Sequence, residues 1–170
     1  MVDSRDENSE LTRVPTRADL VRIADELNRH GAKYLVLGGM AMMEWGLRRS
    51  TMDIDLLIET SAENVCSVRE SLSKALPEKA AEELSHSDVM EFVVVRINDE
   101  ITVDVMAAAC GVSYADAAGM IAERVLDHVR IPFASPELLM KTKATYREKD
   151  ALDRAYLREL IAARMNSAAS

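Results

Sequence analysis

Polar and apolar positions divide the chain into segments of clear period. Thr16 is followed by Leu20, Ile23, Ala24 and Leu27 at helical spacing, with Asp19 three residues after the threonine and Gly31 ending the pattern. This predicts a capped amphipathic helix. "KYLVLGG" (33–39) is a short, wholly apolar run closed by glycines, the form of a strand buried on both faces. "MAMMEWG" then predicts a short helix closed by Gly46. In "TMDIDLLIE" (51–59) the side chains alternate, so Met52, Ile54 and Leu56 share one face of a strand and Asp53 and Asp55 the other. Thr60 and Glu63 have capping-box spacing, and Val65, Val68 and Leu72 carry a helix toward Pro77.

Beyond Pro77 two β-branched runs, "EFVVVRI" (91–97) and "ITVDVMA" (101–107), flank "NDE" and predict an antiparallel pair. From Ser113 the pattern predicts a return to helix, with "VLDHVRIPF" (125–133) as one more extended segment. Ser135-Pro136-Glu137 opens a helix with a cap and a first-turn proline. Leu152, Tyr156, Leu157, Leu160 and Ile161 form an apolar stripe on a final helix, which must pack on something. The expected fold class is α/β: a small mixed sheet of four or five strands flanked by helices. Residues 1–15 are expected to form a flexible arm, 16–110 the core, and 111–170 a mainly helical C-terminal segment packed on it.

Composition narrows the picture. A chain of 170 residues that is 48% hydrophobic and 29% charged suits one folded domain. Its net charge of −8 weighs against a general grip on nucleic acid, although a local basic patch is compatible with it. No apolar run approaches the roughly 18 residues of a membrane span, and the first 16 residues are too polar for a secretory signal. The cytoplasm is the expected location, with no membrane partner. Cys66 and Cys110, with no CxxC, read as small buried apolar groups, and His30, His86 and His128 lack ligand spacing.

Chemistry gathers between residues 38 and 55. Asp53 and Asp55, two apart on a strand, crowd two negative charges that a cation would relieve. Mg²⁺ takes oxygen ligands, and a two-ion site suits displacement at phosphorus. Asp104 is the candidate third carboxylate, because an aspartate inside an apolar strand is costly to bury without a partner. Glu91 is a possible fourth. Taken alone, a DxD is a weak signal, and a solvated strand face is the better account of Asp53 and Asp55, with Asp104 marking an edge or a salt bridge. Gly38 and Gly39 end a strand and open a helix, where backbone N–H groups hold phosphate. Arg48 and Arg49 follow, and guanidinium groups suit phosphate oxygens. Trp45 and the ten methionines read as core fillers, with a base pocket as the alternative for Met40, Met42 and Met43 near the turn.

The run "GGMAMMEWGLRRSTMDIDLLI" resembles the signature of the nucleotidyltransferase superfamily, and Arg49, Thr51, Asp53 and Asp55 in R-x-T-x-D-h-D form resemble its AbiEii-like bacterial branch. "SPELLMKTKATYREKDALDRAYL" is similar to that branch's closing pattern of lysine, arginine, Lys149-Asp150 and Asp153. Helical spacing sets Lys143, Arg147 and Asp150 near one stripe, a basic wall for a triphosphate or an ordinary charged helix. The resemblance implies a nucleotidyltransferase core. It implies that Gly38 and Gly39 contact phosphate, that Asp53, Asp55 and Asp104 bind metal, and that Asp104 helps activate the attacking hydroxyl. Arg49 and either Lys141 or Lys143 would stabilise charge on the triphosphate, with Thr51 holding the loop and Arg147 and Asp150 completing the nucleotide site. The implied reaction is Mg²⁺-dependent transfer of a nucleoside monophosphate from a nucleoside triphosphate to a hydroxyl of RNA, protein or a small molecule. The rival is a non-catalytic partner in a toxin–antitoxin pair, masking a cognate toxin or antitoxin protein.

Overall fold

A computed structural model describes residues 12–169. Its elements run α1 (Arg17–Arg29), β1 (Tyr34–Leu37), α2 (Gly38–Glu44), β2 (Asp53–Ile58), α3 (Ala62–Ala75), α4 (His86–Phe92), β3 (Val94–Asn98), β4 (Thr102–Met106), β5 (Ala108–Ala109), β6 (Val112–Ser113), β7 (Ile121–Leu126), β8 (Val129–Ala134), α5 (Pro136–Thr142) and α6 (Glu148–Ala168). Six strands form one mixed sheet in the order β3-β4-β2-β1-β8-β7, and β5 and β6 make a separate small hairpin. The fold is therefore α/β, with six strands in the sheet and not four or five.

Central position in the sheet explains the apolar run of β1, whose four residues are all buried. It lies antiparallel to β2, with Leu37 opposite Asp55, and parallel to β8, with Val36 opposite Phe133. Strand β2 runs parallel to β4, and β4 pairs antiparallel with β3 across the "NDE" turn. The turn is secured by Asp99, whose carboxylate accepts from the backbone N–H groups of Glu78 (3.1 Å) and Ala80 (2.9 Å).

Helix α1 starts as its sequence predicts: Thr16 and Asp19 form a reciprocal capping box, and Leu20, Ile23, Ala24 and Leu27 face the core. Arg13 donates to both Asp19 oxygens (2.7 and 2.8 Å) and so ties the preceding chain to the helix start. The first eleven positions of the expected arm lie outside the described residues.

Several expectations require correction. The cap of α3 is Ser61, whose hydroxyl accepts from the Asn64 N–H (3.2 Å), and not Thr60. Glu91 and Phe92 belong to α4, so β3 begins only at Val94. The segment after Ser113 forms turns and not the expected helix, which resumes only at Pro136, whereas the expected extended segment 125–133 lies in the β7–β8 hairpin of the main sheet. Exposed Glu123 and Arg124 sit on that edge strand, which accepts polar side chains without needing helical periodicity. Neither cysteine is buried. On α6, Leu157 is fully buried but Leu152 is exposed, so the packed stripe is narrower than expected. Among the described residues no helix is long and apolar enough to cross a membrane.

Trp45 ties the end of α2 to the β7–β8 hairpin and to α6. Its indole N–H donates to the Ala134 carbonyl (2.8 Å), its ring meets the guanidinium groups of Arg124 and Arg164, and its own carbonyl accepts from the Tyr156 hydroxyl (2.8 Å). These contacts anchor α6 against the α2 turn and so bring the start of α6 to the cleft.

Candidate active site

The site grows from the β1–α2 turn. Gly38 has φ +62, and a Cβ there would stand 1.8 Å from Asp55 Oδ2; a Cβ on Gly39 would stand 2.5 Å from the Thr51 side chain. Glycine at both positions therefore lets the strand carrying the aspartates close against the turn. Thr51 is buried and donates to the Asp53 carbonyl (3.0 Å), which holds the start of β2.

Parallel pairing of β2 with β4 sets Asp55 opposite Asp104. Asp53, Asp55 and Asp104 each offer a carboxylate oxygen within 4.8 Å of the others. Burial, then the neighbouring charges of Asp53 and Asp104, push the Asp55 pKa up to about 7 against the pull of Lys143 and Lys149. Asp53 is likewise raised, by burial and then by Asp104. Three close oxygen donors whose mutual repulsion is not fully compensated fit a hard divalent cation such as Mg²⁺.

Arg96 is a component that sequence reading missed. Standing opposite Asp104 across the β3–β4 pair, it donates from Nε to Oδ1 (2.9 Å) and from Nη2 to Oδ2 (2.8 Å) of Asp104, and from Nη2 to Asp53 Oδ2 (3.2 Å). Counting residues outward from the "NDE" turn pairs 96 with 104, so the signal was present in the sequence.

A second charged cluster borders the same cleft, which has a volume of about 330 Å³. Lys143 ends α5 and is buried, with Nζ 2.7 Å from Asp153 Oδ2 and 3.4 Å from Asp150 Oδ1. Arg49 donates from Nη1 to both Asp153 oxygens (2.7 and 2.8 Å), while its buried Nε, also in a cleft-lining residue, has no protein partner. Arg147 and the Thr145 hydroxyl donate to Asp150. Burial opposes ionisation of Asp150, but Thr145, Lys143 and Arg147 together outweigh it and hold the pKa below the usual carboxylate range. Lys143, Arg147 and Asp150 meet because the helix breaks between α5 and α6, and not through one continuous helical stripe. Asp153, as a clamp for two cations, and the cleft-lining Lys149 complete the cluster.

The other predicted residues lie elsewhere. Lys141 is exposed and does not line the cleft, whereas Lys143 does. Glu91, Met40, Met42 and Met43 do not line it either; Met40 and Met42 are core residues. Val94, Met106, Ala108 and Ala109 give the cleft an apolar section, and Cys110 Sγ donates to the Thr142 carbonyl (3.2 Å), tying the β5–β6 turn to α5.

The backbone resembles that of the lincosamide antibiotic adenylyltransferase LnuA in its lincomycin-bound crystal structure, at 16% identity and TM-score 0.60, over 87% of this chain and 99% of that one. An antigenic nucleotidyltransferase-like protein from Paracoccidioides brasiliensis is similar at 13% identity and TM-score 0.53, over 94% of this chain and 77% of that one. This is the nucleotidyltransferase fold. A putative nucleotidyltransferase from Thermotoga maritima aligns at 18% identity over 91% and 98% of the two chains, with TM-score 0.49. No family model matches the sequence, and no curated protein does.

Proposed function

We propose that the chain is a Mg²⁺-dependent nucleotidyltransferase that moves a nucleoside monophosphate from a nucleoside triphosphate to a hydroxyl of a small-molecule acceptor. The observation that carries this reading is the meeting of Asp53, Asp55 and Asp104 in a cleft also lined by Arg49, Lys143, Arg147 and Lys149. Asp53, Asp55 and Asp104 would hold the metal, with two ions as the expectation; bound there, Mg²⁺ supplies positive charge to the reacting phosphate.

The chain's own groups perform the remaining work. Arg49, through its unpartnered Nε, and Lys143 and Arg147 bind the triphosphate and stabilise the charge that builds on leaving pyrophosphate. Asp150 and Asp153 hold those cations in place before the nucleotide arrives. Gly38 and Gly39, at the start of a helix with no side-chain cap, offer backbone N–H groups to phosphate. Asp104 accepts the proton of the acceptor hydroxyl as its oxygen bonds to the α-phosphorus and the bond from that phosphorus to pyrophosphate breaks. The R-x-T-x-D-h-D run supports placement in the AbiEii-like branch.

Three things favour a small acceptor. The net charge is −8, the cleft includes an apolar section, and the similar fold of LnuA has lincomycin bound. The test is transfer of label from each nucleoside triphosphate, labelled at the α-phosphorus, to a library of hydroxylated small molecules, to total RNA and to total protein, with Asp53→Asn as control. A labelled small molecule that depends on Asp53 is the expected result. Label on RNA or protein alone would refute the acceptor class, and no label together with no triphosphate-induced rise in melting temperature would refute the activity.

A further inference from the structure

Resting on the metal-site reading above, we infer that Arg96 is a tethered counter-cation of the carboxylate cluster, bonded to Asp104 and Asp53 in the metal-free protein and released from them when a divalent cation binds. Three carboxylates with oxygens within 4.8 Å of one another need positive charge to stay assembled; Lys143 and Lys149 act on them from a distance, and Arg96 bonds them directly, with Asp104 accepting at both oxygens and Asp53 at one. Asp104 is almost fully buried, so an unpaired charge there would be costly.

The surroundings of Arg96 differ from those of the two cations that Asp153 holds. Arg49 and Lys143 have side chains only 18% and 8% exposed and are clamped by Asp153, whereas that of Arg96 is 54% exposed. Arg96 also stands on β3, the edge strand of the sheet, so its guanidinium reaches water by side-chain rotation alone. A divalent ion on the same carboxylates repels the guanidinium and takes oxygen lone pairs that its N–H groups now use. Arg96 therefore lowers the affinity of the bare protein for metal while keeping the site in shape. Metal then loads most readily together with a triphosphate, whose negative charge offsets the nearby guanidinium.

Calorimetric titration of the EDTA-stripped full chain with Mg²⁺ alone tests this without relying on activity. Arg96→Gln should bind Mg²⁺ about tenfold more tightly than wild type, the size expected for removing one charge a few ångströms from a divalent ion in a hydrated site. Arg96→Lys, which keeps the charge, should stay within about threefold of wild type, and Arg29→Gln on α1 should not change the affinity. Equal or weaker binding by Arg96→Gln, with Mg²⁺ still bound by wild type, would overturn the counter-cation role and leave the metal site standing. No Mg²⁺ binding by any variant, with or without triphosphate, would overturn both. A measurement on wild type alone removes any dependence on how the variants fold: the Arg96 Nε–H proton should be protected from exchange in EDTA and lose that protection as Mg²⁺ is added. Undiminished protection at saturating Mg²⁺ would equally sink the proposal.

Discussion

Replacing Asp55 by Asn in the metal-free protein should make the variant more stable than wild type, increasingly so as pH rises toward neutrality. The carboxyl has an ordinary pKa of 3.8 and is pushed up to about 7 in the fold. Between those values the folded chain binds more protons at this position than the unfolded chain does. Stability therefore falls with rising pH across that window, by about 1.4 kcal/mol per unit and about 4 kcal/mol in all. Asn is nearly isosteric, so it preserves the close packing against Gly38 while removing the titration. The stability difference between variant and wild type should widen by roughly 2–3 kcal/mol between pH 5 and pH 8 and level off above 7. Urea denaturation in EDTA at half-unit pH intervals measures it, and melting temperatures should diverge by roughly 5–10 °C over the same range. Saturating Mg²⁺ at pH 8 should close much of the gap by stabilising wild type alone. A difference that stays constant from pH 5 to 8 would refute the claim that Asp55 is held against its own ionisation by burial and its acidic neighbours.

Asp153→Ala leaves Arg49 and buried Lys143 without a shared partner, and should cost about 3–5 kcal/mol in urea denaturation. Gly39→Ala forces a methyl group to within 2.5 Å of Thr51; the melting temperature should fall, and the stabilisation by Mg²⁺ and nucleoside triphosphate should be lost. Tyr156→Phe removes the donor to the Trp45 carbonyl and should cost about 1 kcal/mol, with amide exchange accelerating first along α6. Asp19, held well below the usual carboxylate range chiefly by hydrogen bonds from Arg13, contributes stability above about pH 4 that is lost as pH falls toward its folded pKa. Asp19→Asn should accordingly lose about 1 kcal/mol at pH 7 and flatten the acid limb of a pH–melting curve.

Where local period and local chemistry act together, the sequence determined the result by itself. The Thr16–Asp19 capping box, the all-apolar β1, the alternation of Asp53 and Asp55 with buried neighbours, and the hairpin around "NDE" are each settled within a few residues, because hydrogen bonding and side-chain direction repeat at short range. Only the tertiary structure decided which strands became neighbours. That choice brought Asp104 beside Asp55 and joined the stretch 121–134 to the main sheet, of which the sequence pattern shows only 125–133 as extended, since a strand stabilised by burial against partners far along the chain carries little periodic signal of its own. It also decided among charges that look alike in sequence. Lys143 lines the cleft and Lys141 faces water, Arg49 reaches Asp153 across 104 positions, and Arg96 closes on the carboxylates. A charge's partner depends on distance through space and on burial, and neither is encoded by spacing along the chain.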